Sequence, residues 1–223
     1  MSPGATLRPV LAAVDHLLLA APDLDSGIAW IEERTGVRAT IGGSHPGRGT
    51  RNALLALGDR RYLEILAPDP AQPGAASSLL ELTRVAVPTL ARWAATARDL
   101  ENFAARLRDD AETGVTIERP QDGGRTTPEG AVLRWRTVSA RGAAITALGG
   151  LAPFFIEWLP GTAHPALAAA PLGALERLQF EHPEPGAATG TLASLGLAVA
   201  VATGLRPALR ASIRTPRGVL ELC

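Results

Sequence analysis

The sequence predicts an α+β fold built from a repeated unit of one strand, one helix and three strands, βαβββ. Three observations carry this prediction. Short apolar runs hold a glutamate near their middle three times: RYLEIL at 61–66, FFIEWL at 154–159 and GVLEL at 218–222. The segments leading to the first two runs follow the same order of elements. PDLDSGIAWI also aligns with RDLENFAARL, which sets Leu24 opposite Leu100 and Glu64 opposite Glu157. A carboxylate among apolar neighbours costs several kcal/mol to bury unless something pairs with it, so its recurrence marks a structural repeat and a candidate site.

The first unit, 11–70, opens with VDHLLLAA (14–21), a buried strand that puts His16 on the same face as Val14 and Leu18. PDLDSGIAWIEERTG follows as a helix. Asp23 or Asp25 can cap it, Ile28, Trp30 and Ile31 supply apolar positions, and Gly36 stops it. VRATIGG is a second strand, HPGRGTRN (45–52) a glycine-rich loop, ALLALGD a third strand and RYLEILAP a fourth. The second unit, 85–160, repeats this order with insertions. TLARWAATA (89–97) is a strand, and RDLENFAARLRDDAETG is a helix with Leu100, Phe103, Ala104 and Leu107 on one face. VTIERP and AVLRWRTVS are strands around the loop QDGGRTTPEG, and FFIEWLPG closes the unit.

The third segment, 174–223, is shorter. LERLQFEH is a strand, EPGAATGTLASLG a small helix or turn, and LAVAVATG, ALRASIRTP and GVLEL are strands, with Glu221 in the place of Glu64. It reads as a truncated third unit packed on the first two. Pro/Ala/Gly-rich joints at 65–78 and 159–173 separate the three.

Composition narrows the function classes. The 223 residues carry a formal net charge of zero, which gives no electrostatic reason to bind nucleic acid or an anionic membrane. All the basic residues are arginine, a mark of a GC-rich coding sequence rather than of chemistry. Cys223 is the sole cysteine, so no disulfide framework or thiolate metal site forms within the chain. No leader-like segment is evident, and the longest uncharged run, GTLASLGLAVAVATG, is short of the ~20 residues a spanning helix needs. A cytoplasmic protein is expected.

VDHLLLAAPDLDSGIAWIEERTGV, GGSHPGRGTRNALLALGD and YLEILAPDP together resemble the vicinal oxygen chelate superfamily, and more narrowly its glyoxalase-like domain family. The resemblance is strongest over 11–70, weaker over 85–160 and architectural beyond 175. It implies that two βαβββ units pair their sheets into a curved, incomplete barrel. Inward residues of each first and fourth strand then hold a divalent metal, which chelates adjacent oxygens of a small-molecule ligand. Lyase, isomerase and dioxygenase chemistry all occur on this fold, as do metal-free binding proteins, and fold alone does not choose among them. A homodimer is compatible with it.

Carried over residue by residue, the resemblance implies His16, Glu64 and Glu157 as metal ligands for Zn, Mn, Fe or Ni, with Glu64 and Glu157 also placed to move protons. The remaining ligand position falls on Arg92, which cannot ligate a metal. If Arg92 instead replaces the metal and neutralises the glutamates, no cofactor is required and the cup becomes a binding or sequestering site. Arg48, Arg51 and Asn52, with His45 in the same loop, and Arg125 in the matching loop of the second unit are candidates for clamping a carboxylate or phosphate end. The plainer reading of those arginines is a solvated turn, or pairing with Asp59 or Asp122. Trp135 and Trp158 read as core, and His164 and His182, each before a proline, as turn residues.

Overall fold

The computed structural model describes residues 8–58, 60–75, 77–108 and 115–223. The first unit comprises β1 (Val14–Ala20), α1 (Leu24–Thr35), β2 (Thr40–His45), β3 (Thr50–Ala56) and β4 (Tyr62–Pro68). Of the two aspartates that could cap α1, Asp23 does so, accepting from the Ser26 amide at 2.8 Å. Gly36 ends the helix in the left-handed region at φ 75°. The second unit comprises β5 (Thr89–Thr96), α2 (Leu100–Arg108), β6 (Gln121–Thr126), β7 (Val132–Arg141) and β8 (Phe154–Trp158). The remainder of the helix expected at 98–114 lies partly outside the described residues.

Strand boundaries move at both glycine-rich loops. β3 begins at Thr50, so Arg51 and Asn52 belong to a strand and only 46–49 turn. The first six residues of QDGGRTTPEG form β6 and pair with β7, whereas VTIERP contributes only the two-residue strand Thr116–Ile117. Cross-strand partners decided these extents, and they are not visible along the chain.

The two units share one curved, open sheet in the order β3-β4-β1-β5-β8-β7, with β2 on β3 and β6 on β7. Curvature brings β2 and β6 together, and the Arg125 guanidinium on β6 donates to the Gly42 carbonyl on β2. The sheet is therefore a cup closed at one seam by a side chain. In β1, Leu17 and Leu19 face the outer core, while His16 and Leu18 face into the cup. Because both faces are covered, every residue of β1 is buried.

The junction of β1 and β5 is antiparallel and obeys a pseudo-twofold. His16 stands opposite Ala94 and Leu18 opposite Arg92. A spacing of 76 residues carries Leu24 to Leu100, His16 to Arg92 and Leu18 to Ala94. Each strand thus meets the image of itself. The parallel pairs extend the rule: Leu18 is opposite Glu64, and Ala94 is opposite Phe154. The image of Glu64 is consequently Phe154, three residues before Glu157.

The third segment has the expected element order: β9 (Ala174–His182), α3 (Pro185–Ser194), β10 (Val201–Thr203), β11 (Ala208–Thr215) and β12 (Gly218–Leu222). Its strands, however, lie in the order β10-β9-β11-β12, whereas each of the first two units places its fourth strand beside its first. Glu221 lies on the edge strand β12 and accepts from Ser212 Oγ at 2.8 Å. It is not equivalent to Glu64. This small sheet packs against the outer face of the cup, where Trp93 and Phe180 meet edge to face at 5.8 Å. One continuous apolar core runs through all three segments.

Candidate active site

The cup encloses a cavity of about 300 Å³. Its floor is polar and comes from the first unit. Glu64 on β4 is 6% exposed. The Asn52 amide nitrogen on β3 donates to its Oε1 at 2.6 Å. His16 Nε2 lies 3.5 Å from Oε2, and His45 Nε2 lies 3.6 Å from Oε1. Two imidazoles therefore address the two oxygens of one buried carboxylate. Strand alternation places three of them inside: β1, β3 and β4 direct His16, Asn52 and Glu64 inward and their neighbours to the opposite face, while His45 comes from the end of β2.

The hydrogen bonds define proton positions. Asn52 also lies within reach of His45 Nε2 at 3.3 Å, while His45 Nδ1 meets Thr50 Oγ1 at 2.9 Å. With both amide hydrogens of Asn52 donated, to Glu64 and to His45, the His45 Nε2 accepts and its proton sits on Nδ1. Burial pushes the His45 pKa below the ordinary imidazole value, against the pull of Glu64, so the ring is neutral at neutral pH. Gly42 is required here because a Cβ would collide with Asn52 Oδ1.

His16 is held from behind by Asp15, whose Oδ1 lies 2.7 Å from His16 Nδ1. Asp15 is the extra residue of a β-bulge between Val14 and His16, which turns its side chain toward the cup rather than the core. Its Oδ2 gathers donors from distant segments: Trp158 Nε1 at 3.1 Å, His164 Nε2 at 3.3 Å and Thr96 Oγ1 at 3.4 Å. Burial alone would raise the Asp15 pKa. The hydrogen bonds and charges of His16 and His164 outweigh it and hold the carboxyl far below its ordinary range. His16 therefore carries its proton on Nδ1 and presents Nε2 to the cavity. Tyr62 stacks on the His16 ring at 4.5 Å, and burial keeps its phenol neutral.

The other wall belongs to the second unit and sets an aromatic cluster beside polar groups, among them Glu118, Gln121, Thr137, Ser139 and Arg141. Phe154, Ile156 and Trp158 alternate inward along β8, and Trp135 joins them from β7. Ala94 is small enough to let Phe154 reach across it, edge to face with His16 at 5.5 Å. Arg92, Arg125 and Arg48 add positive charge. Burial lowers the pKa of both Arg92 and Arg125. Glu118 offsets this for Arg92, and Glu64, Tyr62 and Glu129 do so for Arg125.

The structure brings together His16, Glu64, Asn52, Arg48, Arg92 and Arg125 from the sequence reading. It corrects the rest. Glu157 points away from the cup, because alternation along β8 sends Ile156 and Trp158 inward, and it accepts the amides of Asp99 and Leu100 at 2.9 and 3.3 Å. It caps α2 and cannot share an ion or a substrate with Glu64. Arg51 occupies the opposite face of β3 from Asn52, where its charge helps lower the pKa of Asp23 and Asp69. Arg92 bridges no glutamate among the described residues; its guanidinium lies 5.5 Å from the Phe154 ring centre. Asp122 pairs with Arg136, and Asp59 lies outside the described residues.

Sequence reading missed several participants, Tyr62 and Phe154 among them. Trp135 and Trp158 line the cavity, a role that the inward phase of FFIEWL would have shown for Trp158. His164, expected in a turn, is buried against Asp15, and Asp15 itself was hidden by the bulge. His182 is likewise buried, with Nε2 2.9 Å from the Ala147 carbonyl.

The donor set does not fit the divalent ion that the resemblance implied. The twofold images of His16 and Glu64 are Arg92 and Phe154, neither of them a ligand, and Glu157 is committed to α2. Oε1 of Glu64 is already occupied by the Asn52 amide, and the Arg125 charge acts on the same carboxylate. His16, His45 and Glu64 meet on the floor, but among the described residues no three His, Cys, Asp or Glu side chains are arranged to hold an ion.

The profile of a family described as glyoxalase-like domain matches residues 14–196. No functionally curated protein matches. A hypothetical protein from Staphylococcus aureus superimposes with a TM-score of 0.68 at 13% identity, over 94% of this chain and 98% of that one. A methylmalonyl-CoA epimerase from Mycobacterium tuberculosis matches with a TM-score of 0.45 at 22% identity, over 75% of this chain and 95% of that one.

Proposed function

This chain belongs to the glyoxalase-like domain family, and from that premise we propose that it is a proton-transfer enzyme acting on a small anionic molecule, with Glu64 as the base. The observation that carries the reading is the Glu64 carboxylate on the cavity floor with a His16 Nε2 and a His45 Nε2 at 3.5 and 3.6 Å. Asn52 holds Oε1, which leaves Oε2 for the substrate. Oε2 takes a proton from an acidic C–H beside a carbonyl or carboxyl group. The electron pair delocalises onto that oxygen, whose charge Arg125 stabilises. The proton then returns to a different face or atom, from Glu64 or through His16 Nε2, so the net reaction is an isomerisation. Asp15 keeps His16 in the tautomer that can accept that proton. Arg48 and Arg92 hold the anionic end, each charge-assisted contact contributing about 1.5–3 kcal/mol.

The reading routes no step through a metal. Stoichiometric metal is expected to be absent by elemental analysis, and dialysis against a chelator is expected to leave anion affinity unchanged. The defining experiment is exchange of substrate hydrogen in D2O, followed by NMR across small 2-oxo and 2-substituted carboxylates. Glu64→Gln should abolish exchange, by at least about 100-fold, while leaving affinity within a small factor. Exchange that survives Glu64→Gln would overturn the proposal. Tight binding without exchange of any candidate would make the same cup a sequestering protein.

A further inference from the structure

We infer that the molecule held in the cup is an arylacetate-type carboxylate, with its ring against the second-unit wall, its carboxylate on Arg92 and a C–H-bearing carbon between them. This rests on the anionic reading above and deepens it. The two halves of the cup differ in chemistry although their backbones are related by the pseudo-twofold. Where the first unit carries His16 and Glu64, the second carries Arg92 and Phe154. A ligand that satisfies both halves must itself have two ends.

The apolar end has a defined shape. Trp135 and Trp158 are direct cross-strand partners on β7 and β8, with ring centres 5.5 Å apart and planes tilted by 58°. The His45 ring meets Trp135 nearly at right angles from the other unit. Trp135 lies over β6 because residue 123 is glycine, where a Cβ would strike the indole. Trp135, Trp158 and Phe154 all remain half-buried, so ring surface stays available to the cavity. Rings at such inclinations bind a flat ring by offset-stacked and edge contacts better than they bind a chain.

The anionic end is also placed. Arg92 lines the cavity and makes no ion pair among the described residues, with its guanidinium above Phe154. Glu118, which lines the same cavity and acts on Arg92 through its charge, is paired with Arg141. Leu18 lies between Arg92 and Glu64 in the sheet, so those two inward residues stand two strand spacings, about 10 Å, apart. That separation accommodates a carboxylate on Arg92 and an adjacent carbon within reach of Glu64. A bidentate guanidinium–carboxylate pair next to an aromatic face uses the charge and the ring surface together.

The test uses phenylacetate, acetate and phenylacetamide as probes, with binding read by tryptophan fluorescence and by calorimetry. Phenylacetate should bind saturably, and acetate and phenylacetamide at least about tenfold more weakly. Arg92→Gln and Trp135→Ala should each weaken phenylacetate by about tenfold or more, with Phe154→Leu as a second wall variant should Trp135→Ala not fold. Acetate binding as tightly as phenylacetate would remove the aryl inference and leave the anionic cup intact. Phenylacetamide binding as tightly as phenylacetate, with Arg92→Gln silent, would remove the anionic reading itself. No saturable binding of phenylacetate up to about 10 mM, a free energy of only about 3 kcal/mol, overturns the inference.

Discussion

Asp15 shows how much a single side chain can organise. Its two oxygens collect donors from β1, β5, β8 and the joint before β9, so it links both units and the connecting segment. Asp15→Asn keeps the shape but removes the charge that these donors point at, and denaturant titration should show a loss of about 2–3 kcal/mol. The depressed Asp15 pKa has a definite sign in acid. Its stabilisation is complete above the unfolded carboxyl value of 3.8 and is lost as pH falls toward the folded value. His45 acts in the same direction in a different window. Its folded pKa lies below 6.5, so the unfolded chain binds a proton that the native chain does not, and stability declines as pH drops through that value. A His45→Gln variant should lose that part of the acid sensitivity, and a pH series of melting temperatures checks it. His16 and Glu64 were legible in the sequence because each sits mid-strand with apolar neighbours of opposite phase. Asp15 was not, because a bulge changes facing without leaving a mark in the residue pattern.

Elements explain where the repeat misled. FFIEWL looks like RYLEIL when the glutamates are aligned, but parallel pairing sets Phe154 at the Glu64 position and turns Glu157 outward. Its work is to satisfy two backbone amides at the start of α2, where a negative charge also meets the positive end of the helix. Glu157→Ala should therefore cost about 1 kcal/mol of stability and leave ligand affinity unchanged, as measured by urea denaturation beside calorimetry. A large loss of affinity with unaltered stability would return Glu157 to the site. The HPGRG turn was legible as a turn, and its support was not. Gln72, from the joint after β4, accepts from the Gly47 amide and donates to the His45 carbonyl, while Ser44 pairs with Asp69. Such a brace depends on residues some 25 positions away, which local pattern cannot reveal.

For the molecule as a whole, βαβββ order in the first two units was readable from periodicity and glycine stops, whereas the strand order of the third segment depended on sheet pairing. Trp93 and Phe180 are fully buried between the cup and the small sheet, and Trp93 Nε1 donates to the Leu151 carbonyl at 2.9 Å. Phe180→Ala should lower stability by about 3–5 kcal/mol, and fluorescence and circular dichroism should still report one coincident transition because the core is continuous. Separate transitions would show that the third segment folds independently.

The mirrored register across β1 and β5 also says how far this chain stands from another chemistry. Since Arg92 and Phe154 are the images of His16 and Glu64, the double variant Arg92→His, Phe154→Glu would carry matching imidazole–carboxylate pairs on both sides of the axis. Two substitutions, not a new fold, separate the present cup from one with a matched set of ligands on both sides. Elemental analysis of the double variant after incubation with Zn or Mn should find close to one equivalent bound, and neither single variant should retain it. A pseudosymmetric backbone thus lets two side chains complete a matched site without rebuilding the scaffold.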